Sequence, residues 1–333
     1  MKHLLLSAVI VLWLAVGCAR PSSDEPIAPE KQTSISIVST TGMITDLAQR
    51  IAGDRAAVTG LMGTGIDPHL YTPTRTDIQM LLGADIVFYN GLLLEGKMTD
   101  ALVRVAGSGT TVRAVTEEID PSFLLTPAEF QGHNDPHVWM DPGAWSKAAS
   151  VILETLIGFD PQGAAIYSEN ARVLIDEIMR IDAYAERVLQ SVPEDERVLV
   201  TAHDAFNYFG RRYGYEVVGI QGISTESEAG VRDIERIVSL LVDREIRAVF
   251  VETTVSERNI RALIAGANAR GHAVVIGGNL FSDAMGPGGS YEGTYIGMID
   301  HNVTTIARAL GGEAPDRGMN GALRERAPED AAP

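Results

Sequence analysis

The chain has 333 residues, 45% hydrophobic and 21% charged, and is long enough to bury a large core and to suggest two domains or lobes. Its 44 acidic against 27 basic residues leave a formal net charge of −17. That sign sets nucleic acid aside as a partner and suits the attraction of small cations.

The N-terminus carries Lys2 and His3, then an apolar run from Leu4 to Val16, then Gly17-Cys18. The run is shorter than the roughly 20 residues a bilayer span needs, and residues 1–17 have the form of a secretory signal peptide. Cys18 is the only cysteine, so no intrachain disulfide can form. Its place after Ala15-Val16-Gly17 resembles a bacterial lipobox, whose cysteine becomes the lipidated first residue of the mature protein, although leucine is usual where Ala15 stands. Residues 18–34 are proline-rich and polar and read as a tether. The expectation is an exported protein, lipid-anchored through Cys18 to the extracytoplasmic face of the cell membrane.

From Ile35 short β-branched runs at 35–41, 56–63, 85–91 and 111–115 alternate with helical stretches such as 43–53 and 74–83. Such alternation predicts a mainly parallel sheet covered by helices, an α/β lobe over 35–159. A helix is expected to begin near Asp141, with Asp141 as N-cap and Pro142 in its first turn. A longer helix is predicted over 160–192, with Asp160 as N-cap and Pro161 at its first position, about 45 Å long and able to cross the molecule. Strands at 198–203, 216–222, 248–254 and 273–278 and helices at 230–243, 256–270 and 293–310 build a second α/β lobe over 193–311. Residues 312–333 read as a flexible tail.

Asp-Pro-His occurs twice, at 67–69 and 135–137, in a chain with seven histidines. Each proline fixes its own φ and stiffens the loop that carries the imidazole. His203 closes the strand VLVTAH, and Asp283 follows AVVIGG in NLFSDAMG. Ligands of open α/β sheets collect beyond the carboxyl ends of the strands, which places both toward a cleft. Three imidazoles and a carboxylate suit a divalent first-row metal such as Zn²⁺ or Mn²⁺, with no thiolate to favour softer ions. The spacings are long and form no compact metal motif, so the residues alone leave two readings open: one shared site, or four separate polar loop residues.

The blocks DPHLYTPTRTDI, DPHVWMDP, TAHDAFNYF and LFSDAMG followed by EGTYIGMIDHN resemble those of the extracellular receptors of zinc and manganese ABC importers. They run in that family's order from His69 to Asn302, with a long helix between lobes where the family has one. The resemblance implies His69, His137, His203 and Asp283 as metal ligands in a high-affinity receptor that hands its cargo to a membrane permease and ATPase on separate chains. It implies a monomer that is not an enzyme. Histidine at 203, where manganese-dedicated members often have glutamate, points toward zinc. The 117–134 segment, with His133 as its one histidine, lacks the His-rich loop of many zinc receptors. The implied cargo is therefore Zn²⁺ or Mn²⁺, with Fe²⁺ also compatible.

Asp204, Glu226 and Glu252 stand near predicted strand ends as acceptors that could orient a metal-bound imidazole. Trp139 and Trp145 read as core. His133 is expected to face solvent, His272 precedes a strand, and His301 lies on the last helix. Two other functions fit parts of the pattern: a zinc-dependent hydrolase using the same His/Asp site, and a receptor of the same fold for a siderophore or cobalamin. No HExxH motif supports the first, and the second needs no convergent ligands.

Overall fold

A computed structural model describes residues 34–130 and 132–324. The expected signal peptide, Cys18, almost all of the tether and the end of the tail lie outside the described residues.

In the first lobe β1 (Ile35–Ser39), β2 (Ala56–Gly60), β3 (Ile86–Tyr89) and β4 (Thr111–Ala114) form one parallel sheet in the order β2-β1-β3-β4. Successive side chains point to opposite faces, and both faces are apolar. Ile37, Ile86 and Phe88 pack under α1 (Gly42–Ala52), while Val38 and Val87 join Leu81 of α2 (Arg75–Gly83) and Leu102 of α3 (Thr99–Gly107). Burial on both sides is why the strands are short continuous β-branched runs and not alternating ones.

The second lobe repeats the device. β5 (Val198–His203) pairs with β6 (Glu216–Gln221), β7 (Ala248–Glu252) pairs with β8 (Val275–Leu280), both parallel, and β5 lies beside β7. Val198, Val200, Val249 and Val251 face α7 (Val231–Asp243) and α8 (Arg258–Ala269), while Leu199 and Phe250 face the larger core shared with the first lobe. Two further helices, α6 (Asn207–Tyr213) and α9 (Tyr295–Ala309), complete it.

Between the lobes, α4 (Pro142–Phe159) starts as the sequence predicts, with the Asp141 carboxylate accepting from Ala144 N and Pro142 in the first turn. The long helix differs at its start. It is α5, Ala164–Leu189, 26 residues or about 39 Å, preceded by a 3₁₀ turn over Pro161–Gly163. Asp160 is the N-cap residue of that turn, with Pro161 in its first position, and its Oδ2 also accepts from Arg55 and the Tyr167 hydroxyl. A tertiary ion pair thus shares the aspartate that Asp-Pro offers as a cap. The first half of α5 is fastened to the first lobe, where Asn170 donates to Ile51 O. Its second half is fastened to the other lobe, where Asp182 accepts from Arg212 and Tyr213 and Tyr184 meets Thr304.

The expected tail also differs. Residues 312–324 are held against the second lobe: Met319 N donates to both oxygens of Asp300 at 2.9 Å, Arg324 N donates to Glu292 Oε1, and Leu323 is buried. Asp300 sits on α9 and also accepts from Tyr291 and Thr304. Gly318 makes the turn into this hook at φ +71°, and a Cβ there would stand 2.4 Å from Asp300 Oδ1. Gly318→Ala is therefore expected to cost about 1–3 kcal/mol from backbone strain, seen as a lowered urea midpoint with an unchanged m-value.

Candidate metal centre

All four expected site residues reach one point at the carboxyl ends of the strands. His203 ends β5 and Glu252 ends its neighbour β7, so one carboxylate meets the histidine twice. Glu252 Oε1 accepts from His203 N at 2.8 Å and Oε2 lies 2.5 Å from Nδ1. Nδ1 carries the shared hydrogen, and Nε2 is left to face the cluster.

The two Asp-Pro-His loops use the first residue of each triplet in the same way. Asp135 Oδ1 accepts from His137 N at 2.9 Å and lies 2.8 Å from His137 Nδ1, again leaving Nε2 for the cluster. Asp67 Oδ1 accepts from His69 N at 2.9 Å. The second oxygens reach across to the other lobe: Asp135 Oδ2 accepts from Asn207 Nδ2 and Asp67 Oδ2 from Thr225 Oγ1. Asn90, just past β3, donates to Pro136 O. Downstream of His69 the Asp77 carboxylate accepts from Thr74 N and Tyr71 OH while Thr74 caps Asp77 N, which anchors the loop to α2.

Asp283 stands three residues beyond β8 on a segment held from two sides. Asn302 of α9 pairs with the Phe281 backbone through both its amide atoms, and the buried Trp139 indole donates to Ser282 O. Trp139 and Trp145 are core, as expected.

The resulting geometry is tight. His69 Nε2 and His137 Nε2 are 3.3 Å apart, Asp283 Oδ1 is 3.3 Å from His137 Nε2, and Asp283 Oδ2 is 3.3 Å from His203 Nε2 and 3.6 Å from His69 Nε2. None of the four residues is more than 3% exposed. His203 Nε2 and both Asp283 oxygens nevertheless have no hydrogen-bond partner of proper alignment. Close separation without alignment means that these atoms aim at a common centre and not at one another. Orphaned buried polar atoms of this kind are costly and demand an explanation.

Charge is distributed unevenly. Burial lowers the His69 imidazole to about 3, with Asp283 only partly opposing it. Burial also acts against protonating His137 and His203, but carboxylates outweigh it: Asp135 and Asp283 raise His137 to about 9, and Glu252 and Asp283 hold His203 well above its ordinary value. Burial pushes the Asp283 carboxyl up, yet the imidazoles of His203 and His137 dominate and hold it well below the usual carboxylate range.

The matching family model is "Zinc-uptake complex component A periplasmic", which covers residues 37–309. The chain belongs to this family. Among zinc-uptake component A relatives, it is 43% identical over 311 residues to the manganese-binding lipoprotein MntA of Bacillus subtilis, covering 93% of this chain and 100% of that one. It is 41% identical to the zinc-binding protein TroA of Treponema pallidum, over 93% of this chain and 99% of that one. The solved TroA structure from Treponema pallidum superposes with a TM-score of 0.81 at 44% identity, covering 83% of this chain and 99% of that chain. The zinc-uptake component A fold is the two-lobed α/β arrangement with a linking helix that the alternation of elements predicts.

Of the candidate orienting acceptors, Glu252 meets a cluster imidazole, at His203 Nδ1, while Glu226 is exposed near Lys97. Asp135, outside that candidate set, holds His137 Nδ1. Asp135, Asp67 and Asn302 were visible only as neighbours of motif histidines; the twice-repeated aspartate two residues before a histidine was the available signal. His272 Nε2 donates to Ile246 O and His301 Nε2 to Asn279 O, and His133 stacks edge-on against Phe130, all outside the cluster.

Proposed function

We propose that this chain is the extracytoplasmic receptor of a divalent-metal ABC importer, binding Zn²⁺ or Mn²⁺ through His69, His137, His203 and Asp283. The observation that carries the reading is the spacing of the donors. Four ligands about 2.0–2.1 Å from one ion in a tetrahedron stand roughly 3.3–3.4 Å from each other; here His69–His137 and the distances from Asp283 to the three imidazoles run from 3.3 to 3.6 Å, and one donor atom from each of the four residues lies within 4.8 Å of all the others. Both Asp283 oxygens face the cluster, which supports a carboxylate that binds through two atoms and raises the donor number to five. A bound ion relieves the orphaned atoms at once. The donor set favours zinc over manganese at equal concentration, and the named metals of the relatives make both the cargo to test.

Residues 35–159 and 193–311 are the two lobes of this reading, with the linking helix between them. Cys18 carries the lipid, and the receptor acts as a monomer that delivers its ion to a permease and ATPase on other chains. The hydrolase reading is set aside, because relatives matching almost end to end are named as metal-binding proteins. A buried four-residue cluster likewise suits a bare ion better than a siderophore or cobalamin.

The test is purification without added metal, elemental analysis, and competition between zinc and manganese. One ion per chain is expected, together with a rise in melting temperature on loading, since an ion bound only by the folded state stabilises it. Absence of stoichiometric zinc and manganese binding at neutral pH overturns the reading. Glu252→Gln, which keeps the shape but weakens the hold on His203 Nδ1, is expected to lower metal affinity about 10–100-fold in a chelator competition.

A further inference from the structure

We infer that the cleft between α1 and the 283–293 loop is the passage through which an aquated divalent cation reaches and leaves the cluster. The inference rests on the receptor reading above and adds a route to it. The four cluster residues are buried, so an ion needs a way in. The cleft has a volume of about 370 Å³, far more than the roughly 10–15 Å³ a single water requires. Of the cluster residues, Asp283 alone lines it.

The cleft is graded from outside to inside. Its rim is made of exposed residues, Gly63, Thr64, Gly288 and Gly289, and its floor of buried ones, Asp46, Met62, Asp283 and Ala284. Thr64 Oγ1 donates to Gly286 O at 3.1 Å, joining the two walls. Glycines recur on both walls, and several are close-packed: a Cβ at Gly42, Gly60, Gly286 or Gly293 would stand 2.3–3.2 Å from a neighbouring atom. Gly63 and Gly288 are the informative ones, because a Cβ at either meets nothing within 4 Å and neither has a positive φ. A larger side chain at either has open space at the rim of the cleft, so it can narrow the mouth without displacing a neighbouring atom. The floor also presents a carboxylate, Asp46 on α1, whose Oδ2 accepts from Tyr295 N, so an entering cation meets acid on the way to Asp283. A second cavity of about 410 Å³, lined by Arg50, Arg180 and Met319 among others, touches none of the cluster residues.

A passage has a kinetic signature. Narrowing it raises the barrier in both directions and leaves the end states alone, whereas most binding-site changes act on the dissociation rate. The experiment compares the full chain with Gly63→Leu and Gly288→Leu, using Zn²⁺ alone as probe: stopped-flow association, and dissociation into excess chromophoric chelator. Gly83→Leu on α2, where a Cβ also meets open space and no part of the cleft is lined, is the control. Both cleft variants are expected to slow association and dissociation by about the same factor, on the order of tenfold or more, with Kd within twofold and the control unchanged. Thermal melts establish that each variant is folded. Association rates within twofold of the parent in both folded variants overturn the route, as does a Kd that shifts with dissociation alone. Failure of the receptor reading looks different, because the parent chain itself then binds no zinc.

Discussion

Asp283→Asn is expected to lower zinc affinity by at least about a thousandfold, roughly 4 kcal/mol, while leaving the protein folded. Asp283 is the one anion among the four proposed ligands, and its two oxygens lie 3.3–3.6 Å from the three imidazoles. Replacing it with an isosteric amide removes a full charge from a buried centre, and the amide NH₂ has no lone pair for a cation. The fold survives because the histidines keep their other anchors. His137 remains held by Asp135 and His203 by Glu252, and with Asp283 neutral both imidazoles give up protons more readily. Calorimetric competition against a chelator, with circular dichroism as the fold control, measures both halves. Retained affinity within tenfold means that Asp283 lies outside the coordination sphere.

The second large effect is on proton release. With His137 raised to about 9, His203 well above its ordinary value and His69 lowered to about 3, the metal-free centre at pH 7 holds protons on two of its three imidazoles. Ligating imidazoles must be neutral, so binding at pH 7 expels about two protons, and affinity rises on the order of a hundredfold per pH unit through neutrality. Three ordinary imidazoles near 6.5 would instead show almost no dependence above pH 7.5 or so. The same shift sets the stability of the metal-free chain. The folded state raises His137 above its unfolded value, so its contribution is complete below about 6.5 and is lost as pH rises through about 9. His69 acts in the opposite sense, losing stability as pH falls from about 6.5 toward 3. Titration calorimetry in buffers of differing ionisation enthalpy counts the protons directly. Release of fewer than one at pH 7 contradicts the charge state described for the cluster.

Much of the fold was legible because its signals are local. Short β-branched runs mark the eight strands of the described residues, and Asp141-Pro142 announces the start of α4. Asp160-Pro161 announces a start as well, of the 3₁₀ turn that leads into α5, while Arg55, more than a hundred residues upstream, pairs with the same aspartate. Residues 312–324 look polar enough to fray, yet the carboxylate that pins them belongs to Asp300 within an apolar helix. The four cluster residues were legible because each lies in its own compact motif. What orients them was legible only as a choice among Asp204, Glu226 and Glu252, because Glu252 reaches His203 through the neighbouring of β5 and β7, and strand order is not written in either strand.

The aspartates of the two Asp-Pro-His loops each have one oxygen on a histidine and the other on the opposite lobe. Any pull that parts Thr225 or Asn207 from the first lobe is therefore transmitted to Asp67 or Asp135 before it reaches the imidazoles, and through them to the ion's coordination. In the proposed receptor these two carboxylates therefore couple the placement of His69 and His137 to the fit between the lobes.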